Sequence, residues 1–320
     1  MTPFFINNLI NGVFLFLLFT RNLQSTEGQI VLSGNDNEVS GEFSTIAGGF
    51  GNNATDPYSF VGGGYFNDAT GDYSFVGGGL GNNATEKYSF VGGGIGNDAT
   101  GASSTVSGGF NNIASSDGST IGGGKTNKAS GLTSTIGGGE KNVAAGLDST
   151  VSGGFDNIAS SNGSTIGGGG GNVAGAGSTV SGGVNNNAAG AYSFIGGGDN
   201  NQATGENSIA MGKNANAEKD RSLVINLGNN EVSSKKDGEF LVNSDSFTLQ
   251  IGKKKVTINK KNINKFKKLL KRGNRRLEEI TNQHEINKQV KEQQVIIEEL
   301  HKKIEKQQKQ IDELMNNFFA

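Results

Sequence analysis

A β-branched residue followed by glycines returns every fifteen residues through most of this chain. It stands at Ile46, Val61, Val76, Val91, Val106, Ile121, Ile136, Val151, Ile166, Val180 and Ile195, with one step of fourteen between Ile166 and Val180. A fixed short period excludes a globular domain built round one central core. Each unit is too short to bury an apolar face alone, so neighbouring units must stack. Composition excludes two other repetitive states. With 53 Gly but only 2 Pro in 320 residues, the chain lacks the regular Gly and abundant Pro of a collagen helix. A disordered Gly/Ser/Asn linker has no need of an apolar residue held in one phase.

The other positions of the unit keep phase too. Ser stands two residues before each β-branched position, from Ser44 to Ser193. Asn stands six after it, at Asn52, Asn67, Asn82, Asn97, Asn112, Asn127, Asn142, Asn157, Asn172, Asn186 and Asn201. Ala stands eight after it, from Ala54 to Ala203, and a degenerate first copy has Val31, Asn37 and Gly41 in the same frame. Strand side chains alternate faces. Ser and Ile/Val therefore share the inner face of one short strand, and Asn and Ala that of a second, with glycines at the corner between them. Two strands and two turns per unit make one coil of an all-β repeat solenoid. The Asn column is expected to be structural, bonding from rung to rung. Twelve rungs would extend on the order of 60 Å.

The outer face is less uniform. Immediately before the β-branched residue stands Thr45, Phe60, Phe75, Phe90, Thr105, Thr120, Thr135, Thr150, Thr165, Thr179 or Phe194. This is the candidate surface-binding or interface column, and Tyr58, Tyr73, Tyr88 and Tyr192 precede its Phe members. The residue seven after the β-branched one varies as Asn53, Asp68, Ile113, Lys128, Val143, Ile158 and Val173. Both columns point away from the coil interior. An exposed apolar stripe marks an interface. One Ile/Val and one Ala per rung make a thin core, so an oligomer is expected.

Ser208-Ile209-Ala210-Met211-Gly212, followed fourteen residues on by Ser222, resembles the S-x-A-x-G repeat of trimeric autotransporter adhesin heads, the YadA-like head. The fifteen-residue units resemble a glycine-rich variant with one extra residue, and the resemblance covers roughly residues 29–228. It implies a left-handed parallel β-roll and a homotrimer of chains packed side by side. It also implies an adhesive role toward extracellular matrix, glycan or a host surface. Family members finish in a membrane-embedded β-barrel anchor, whereas this sequence ends in a polar helical pattern and Phe318-Phe319-Ala320. The expectation is therefore an extracellular protein on a cell or virion surface, differently anchored.

Composition shifts divide the chain further. Residues 1–25 carry the apolar run Val13–Phe19 and read as a secretory signal peptide, with a short uncleaved anchor as the alternative. The head occupies 27–230. Over 231–260, alternation of Phe247, Leu249 and Ile251, then Gly252 and three Lys, then Val256 and Ile258, predicts a β-hairpin neck. Residues 261–320 predict a helical coiled coil, with Val290, Ile297, Ile304 and Ile311 at a, and Gln293, Leu300, Gln307 and Leu314 at d. Twelve Lys or Arg and no acid lie between Lys253 and Arg276. They read as a solvated neck, or as a surface attracting anionic lipid, glycan or nucleic acid; aromatic interleaving is sparse, and nucleic acid is not expected.

No motif calls for catalysis. Gly122-Gly123-Gly124-Lys125-Thr126 approaches a phosphate-binding loop, but Ser119 stands where its first Gly belongs. The 2 His, His284 and His301, lie in the helical segment without ligand-spaced partners, and Cys is absent. No enzyme, metal or cofactor is expected. Asn53, Asn83 and Asn162 head N-glycosylation tripeptides; glycans at Asn53 or Asn83 would conflict with an interface in their column. Beside adhesion, a purely structural fibre or spacer fits the sequence, and so does an ice- or crystal-binding solenoid using the Thr column.

Overall fold

The computed structural model describes residues 28–319, so the expected signal peptide lies outside the described residues. The chain divides at Ser244/Asp245 into two units. The first is a parallel β-solenoid. One sheet has fifteen strands, from Ile30–Val31 through Thr45–Ile46 and Phe60–Val61 to Phe240–Asn243, each paired only with the equivalent strand of adjacent coils. A second sheet has fourteen, from Glu38–Val39 through Asn53–Ala54 to Val232–Ser233. Register follows the repeat: Thr45 pairs with Phe60, Phe60 with Phe75, and Asn53 with Asp68. The short step is absorbed without a slip, because Thr165 pairs with Thr179 and Val173 with Asn187. The missing residue falls in the corner after Ala174. Fourteen intervals at the usual strand spacing give a stack about 67 Å long.

The interior is what the period demands. Each Ile/Val from Ile46 to Ile195 and each Ala from Ala54 to Ala203 is fully buried, as is every Asn from Asn52 to Asn201. The Asn column satisfies the tightest corner. Asn112 Nδ2 donates to Gly108 O at 3.0 Å within its own rung, to Gly124 O at 2.9 Å in the next, and to Asn97 Oδ1 at 3.1 Å in the previous one. Its Oδ1 accepts from Asn127 N at 3.0 Å and Asn127 Nδ2 at 3.1 Å. Little of its hydrogen-bonding capacity goes unused, which makes a buried amide tolerable.

Left-handed backbone recurs at three places in the coil: the glycine corner, the residue just after the bridge position (Phe66 at 54°, Asn111 at 52°), and a further corner before the first strand. At the glycine corner Gly94 has φ 102°, and a Cβ there would lie 2.2 Å from Gly109 O. The opposite corner, three residues before each Ile/Val, is filled mostly without glycine: Phe43, Tyr58, Tyr73 and Tyr88 have φ of 56°, 59°, 57° and 61°. Non-glycine residues rarely adopt this region. Repetition in consecutive rungs marks it as a requirement of the coil geometry.

The stack extends beyond the boundary drawn at residue 230. Leu223 pairs with Phe240 and Asn226 with Asn243, so Leu241 takes the inner place seventeen residues after Val224. That irregular interval hides the last coil from a period search. In the second unit, Ser246–Ile251 and Lys254–Asn259 form an antiparallel hairpin closed at Gly252-Lys253. Asn262 Nδ2 then donates to Thr257 O at 2.7 Å, tying the hairpin to helix α1, Ile263–Phe319. Among the described residues no helix is long and apolar enough to cross a membrane.

Candidate interaction surface

The Thr/Phe column occupies the outer face of the first sheet. Thr45, Thr105, Thr120, Thr135, Thr150, Thr165, Thr179, Phe60, Phe75 and Phe194 are half-buried, and Phe90 is exposed. In-register pairing aligns the rings: Phe60 and Phe75 stack at 5.1 Å, and Phe75 and Phe90 at 5.0 Å. The left-handed corner carries a second ladder, with Phe43–Tyr58 at 5.3 Å, Tyr58–Tyr73 at 4.7 Å and Tyr73–Tyr88 at 5.3 Å. Lys87 Nζ lies 5.0 Å from the Tyr88 centroid, a cation–π contact. Stacked rings cover one another's faces and turn their edges to solvent. These ladders therefore offer hydroxyl groups and ring edges rather than flat platforms.

The outer face of the second sheet carries Asn53, Asp68, Asn83 and Asp98, then Ile113, Lys128, Val143, Ile158 and Val173. Asn53 Nδ2 donates to Asp68 Oδ1, and Asn83 Nδ2 to Asp98 Oδ1, each at 2.7 Å. Burial pushes the Asp68 carboxyl up from its ordinary value of 3.8, and the Asn53 hydrogen bond partly opposes this. Asn53 and Asn83 are thus engaged and half-buried, whereas Asn162 is exposed on a turn.

A third outer column was missed by sequence reasoning. One residue per rung, directly after the glycine run in nearly every rung, forms a ladder of isolated parallel bridges: Phe50 to Tyr65, Tyr65 to Leu80, Leu80 to Ile95, and onward to Asp199. Its apolar members are exposed, Tyr65 by 58% and Phe155 by 55%. The available signal was a residue at fixed phase behind the glycine run, apolar at Phe50, Tyr65, Leu80, Ile95, Phe110, Phe155 and Val184. Lys125 belongs to this column and pairs with Glu140 of the next rung at 3.1 Å. It is a ladder member placed on a surface, not in a phosphate cradle.

On α1, Val290 is 49% exposed and Ile297 and Leu300 each 52%. The side chains of Ile304, Gln307, Ile311 and Leu314 lie outside the described residues. His284 and His301 are exposed. Among the described residues, no three His, Cys, Asp or Glu are grouped to hold a metal.

With this geometry in view, two segments match a known family. Residues 104–115 and 149–160 fit the ubiquitous surface protein adhesin repeat. No curated protein matches the chain at a significant level. The matched segments run from the inner Ser of one strand past the inner Ala of the next, and differ from one another only at Asn111/Asp156. The repeats are thus similar to those of surface adhesins, and the likeness falls on rungs of the Thr type.

Proposed function

We propose that this chain is an extracellular adhesin-like surface protein. Three chains pack their left-handed β-rolls, as in a YadA-like head, pair their helices in a coiled-coil stalk, and bind a surface through repeated outer columns. One observation carries the reading: the two outer columns exchange size. Where the first sheet presents Phe60, Phe75 or Phe90, the second presents Asp68, Asn83 or Asp98 in the same rung, whereas the Phe194 rung, with Gln202, is large on both sides. Where the first presents Thr105, Thr120, Thr135, Thr150 or Thr165, the second presents Ile113, Lys128, Val143, Ile158 or Val173. Thr45/Asn53 and Thr179/Asn187, small on both sides, flank these blocks.

The two positions face outward from different sheets, so they do not meet within one chain. They meet if the first sheet of one chain lies against the second sheet of its neighbour. Large then opposes small through the rungs of Phe60 to Phe90 and of Thr105 to Thr165, as close packing demands. Such a contact is heterologous, and a threefold rotation closes it into a ring. The half-exposed Val290, Ile297 and Leu300 give α1 an apolar seam for partner helices. Repetition in rungs and chains multiplies weak contacts into avidity. The reading contains no catalytic step and no cofactor.

Light scattering of the secreted protein tests it, with three times the chain mass expected; a monomer would sink the proposal. Arrays of matrix proteins and glycans then separate an adhesin from a spacer, which would bind none of them.

A further inference from the structure

We propose that the first turns of α1 carry a binding stripe for a linear sulfated polysaccharide. The inference rests on the extracellular reading above and names a ligand class for it. Lys261, just before the helix, and Lys265, Lys268, Arg272, Arg275 and Arg276 within it are all exposed. At 3.6 residues per turn the five helical positions fall within about 100° of arc, in a row about 17 Å long, and Lys261 precedes them in the turn that leads into the helix. No acidic residue lies between Lys253 and Arg276, and none occupies the first turn of α1.

Helix energetics do not account for the row. The N-terminal end of a helix carries partial positive charge, so basic residues there work against it. Five like charges along one helix face also repel at helix-neighbour spacing. A polyanion lying along the row removes both penalties.

The choice of polyanion follows from what the stripe lacks. It has no aromatic side chain on which the bases of single-stranded nucleic acid would stack. Leu269 alone borders it, too little apolar surface to anchor among lipids; Ile263, Phe266 and Leu270 fall on the opposite side of the helix, and Ile263 and Phe266 are half-buried. What remains is a bare row of ammonium and guanidinium groups. Guanidinium pairs with planar or tetrahedral oxyanions through two parallel hydrogen bonds, and ammonium as a point charge. Sulfate esters spaced along a rod-like sugar chain meet such a row without insertion or stacking. Lys253, Lys254 and Lys255 at the hairpin turn add positive charge to the same unit.

The test uses the full chain and four probes: heparin, fully desulfated heparin, phosphatidylserine vesicles and oligo(dT). The stripe variant is K261Q/K265Q/K268Q/R272Q/R275Q/R276Q; the control is K302Q/K303Q/K306Q/K309Q, changed at exposed sites farther along α1. Heparin binding is expected to weaken with salt, to fall about tenfold or more in the stripe variant at unchanged helicity, and to stay near wild type in the control. Desulfated heparin is expected to bind at least about tenfold more weakly than heparin. Unchanged binding by the stripe variant overturns the assignment, as does equal binding of the desulfated polymer. Tighter binding to vesicles or oligo(dT) than to heparin overturns it in favour of that partner. The oligomer reading is scored separately by light scattering: a monomer that still retains heparin through the stripe sinks the trimer and keeps the stripe, and a trimer that ignores heparin does the reverse.

Discussion

The rungs around Val61, Val76 and Val91 and those from Val106 to Ile166 have one interior and two exteriors. Inside, both blocks stack the same Ser, Ile/Val, Asn and Ala, fully or almost fully buried. Outside, the first block carries stacked Phe and Tyr rings opposite Asp and Asn, whereas the second carries Thr opposite Ile, Val and Lys. Backbone geometry dictates the interior, because each inner side chain either fills the coil or bonds its corners. It leaves the exterior open. A change confined to the exterior therefore concerns what the surface meets, and in the proposed assembly the size exchange between the two sheets is met by another copy of the chain.

If the interiors are equivalent, breaking them should cost the same in either block. Asn112→Ala leaves Gly108 O and Asn127 N without their partner and takes one bond from Gly124 O. Asn67→Ala does the same to Gly63 O, Asn82 N and Gly79 O. Each buried unpaired group costs about 1–3 kcal/mol, so each variant should lose about 4 kcal/mol. Thermal unfolding followed by circular dichroism measures both, and a clear gap between them would break the equivalence. Next in size is the glycine corner. Gly94→Ala forces a Cβ against Gly109 O in left-handed backbone and should cost about 3 kcal/mol. Gly138→Ala, one corner position earlier in its rung, meets nothing within 4 Å and should change stability by less than about 0.5 kcal/mol. Equal melting losses would mean that the corner is not the constraint.

The exterior should respond more gently, and differently in assembly. Phe75→Thr removes two stacking contacts, at 5.1 and 5.0 Å, worth about 0.5–1.5 kcal/mol each. It also places Thr in a rung whose second-sheet residue is Asn83, small on both sides. Thr135→Phe places a ring in the rung of Val143, large on both sides. Both variants should fold, while light scattering should detect weakened oligomers, more so for Thr135→Phe, since overpacking is resisted more firmly than a gap at a surface seam. Oligomers as tight as wild type in both would remove the packing argument.

Much of this was legible because the period supplies what one sequence lacks, a series of aligned positions. Ile121, Asn127 and Ala129 recur in phase, and phase gives register, so the pairing of Thr120 with Thr135 follows directly. Where phase breaks, legibility ends. The coil ending in Phe240–Asn243 sits seventeen residues after its neighbour and was assigned to the neck. The bridge column through Tyr65, Leu80 and Ile95 kept phase but lay at the end of the glycine run, where alternation predicts only a turn. The left-handed conformation of Tyr58, Tyr73 and Tyr88 was invisible for another reason: nothing in a tyrosine announces positive φ, and only stacked geometry imposes it.

The smallest effect separates the blocks by charge. Asp68 is half-buried in the outer column of the second sheet, where the following block has no carboxylate. Burial raises its pKa above 3.8, with the Asn53 hydrogen bond opposing. A raised carboxyl pKa means that the folded chain holds the proton more firmly than the unfolded one. Its contribution to stability is thus most favourable below pH 3.8 and declines as pH climbs through the raised value. At neutral pH the charge is a standing cost. Asp68→Asn removes that cost and continues an amide ladder between Asn53 and Asn83. The variant should melt slightly higher than wild type at pH 7, and the advantage should vanish as pH falls below 3.8. Melting curves at a series of pH values decide it. An advantage that persists unchanged in acid would mean that packing, not charge, distinguishes this column from its neighbour.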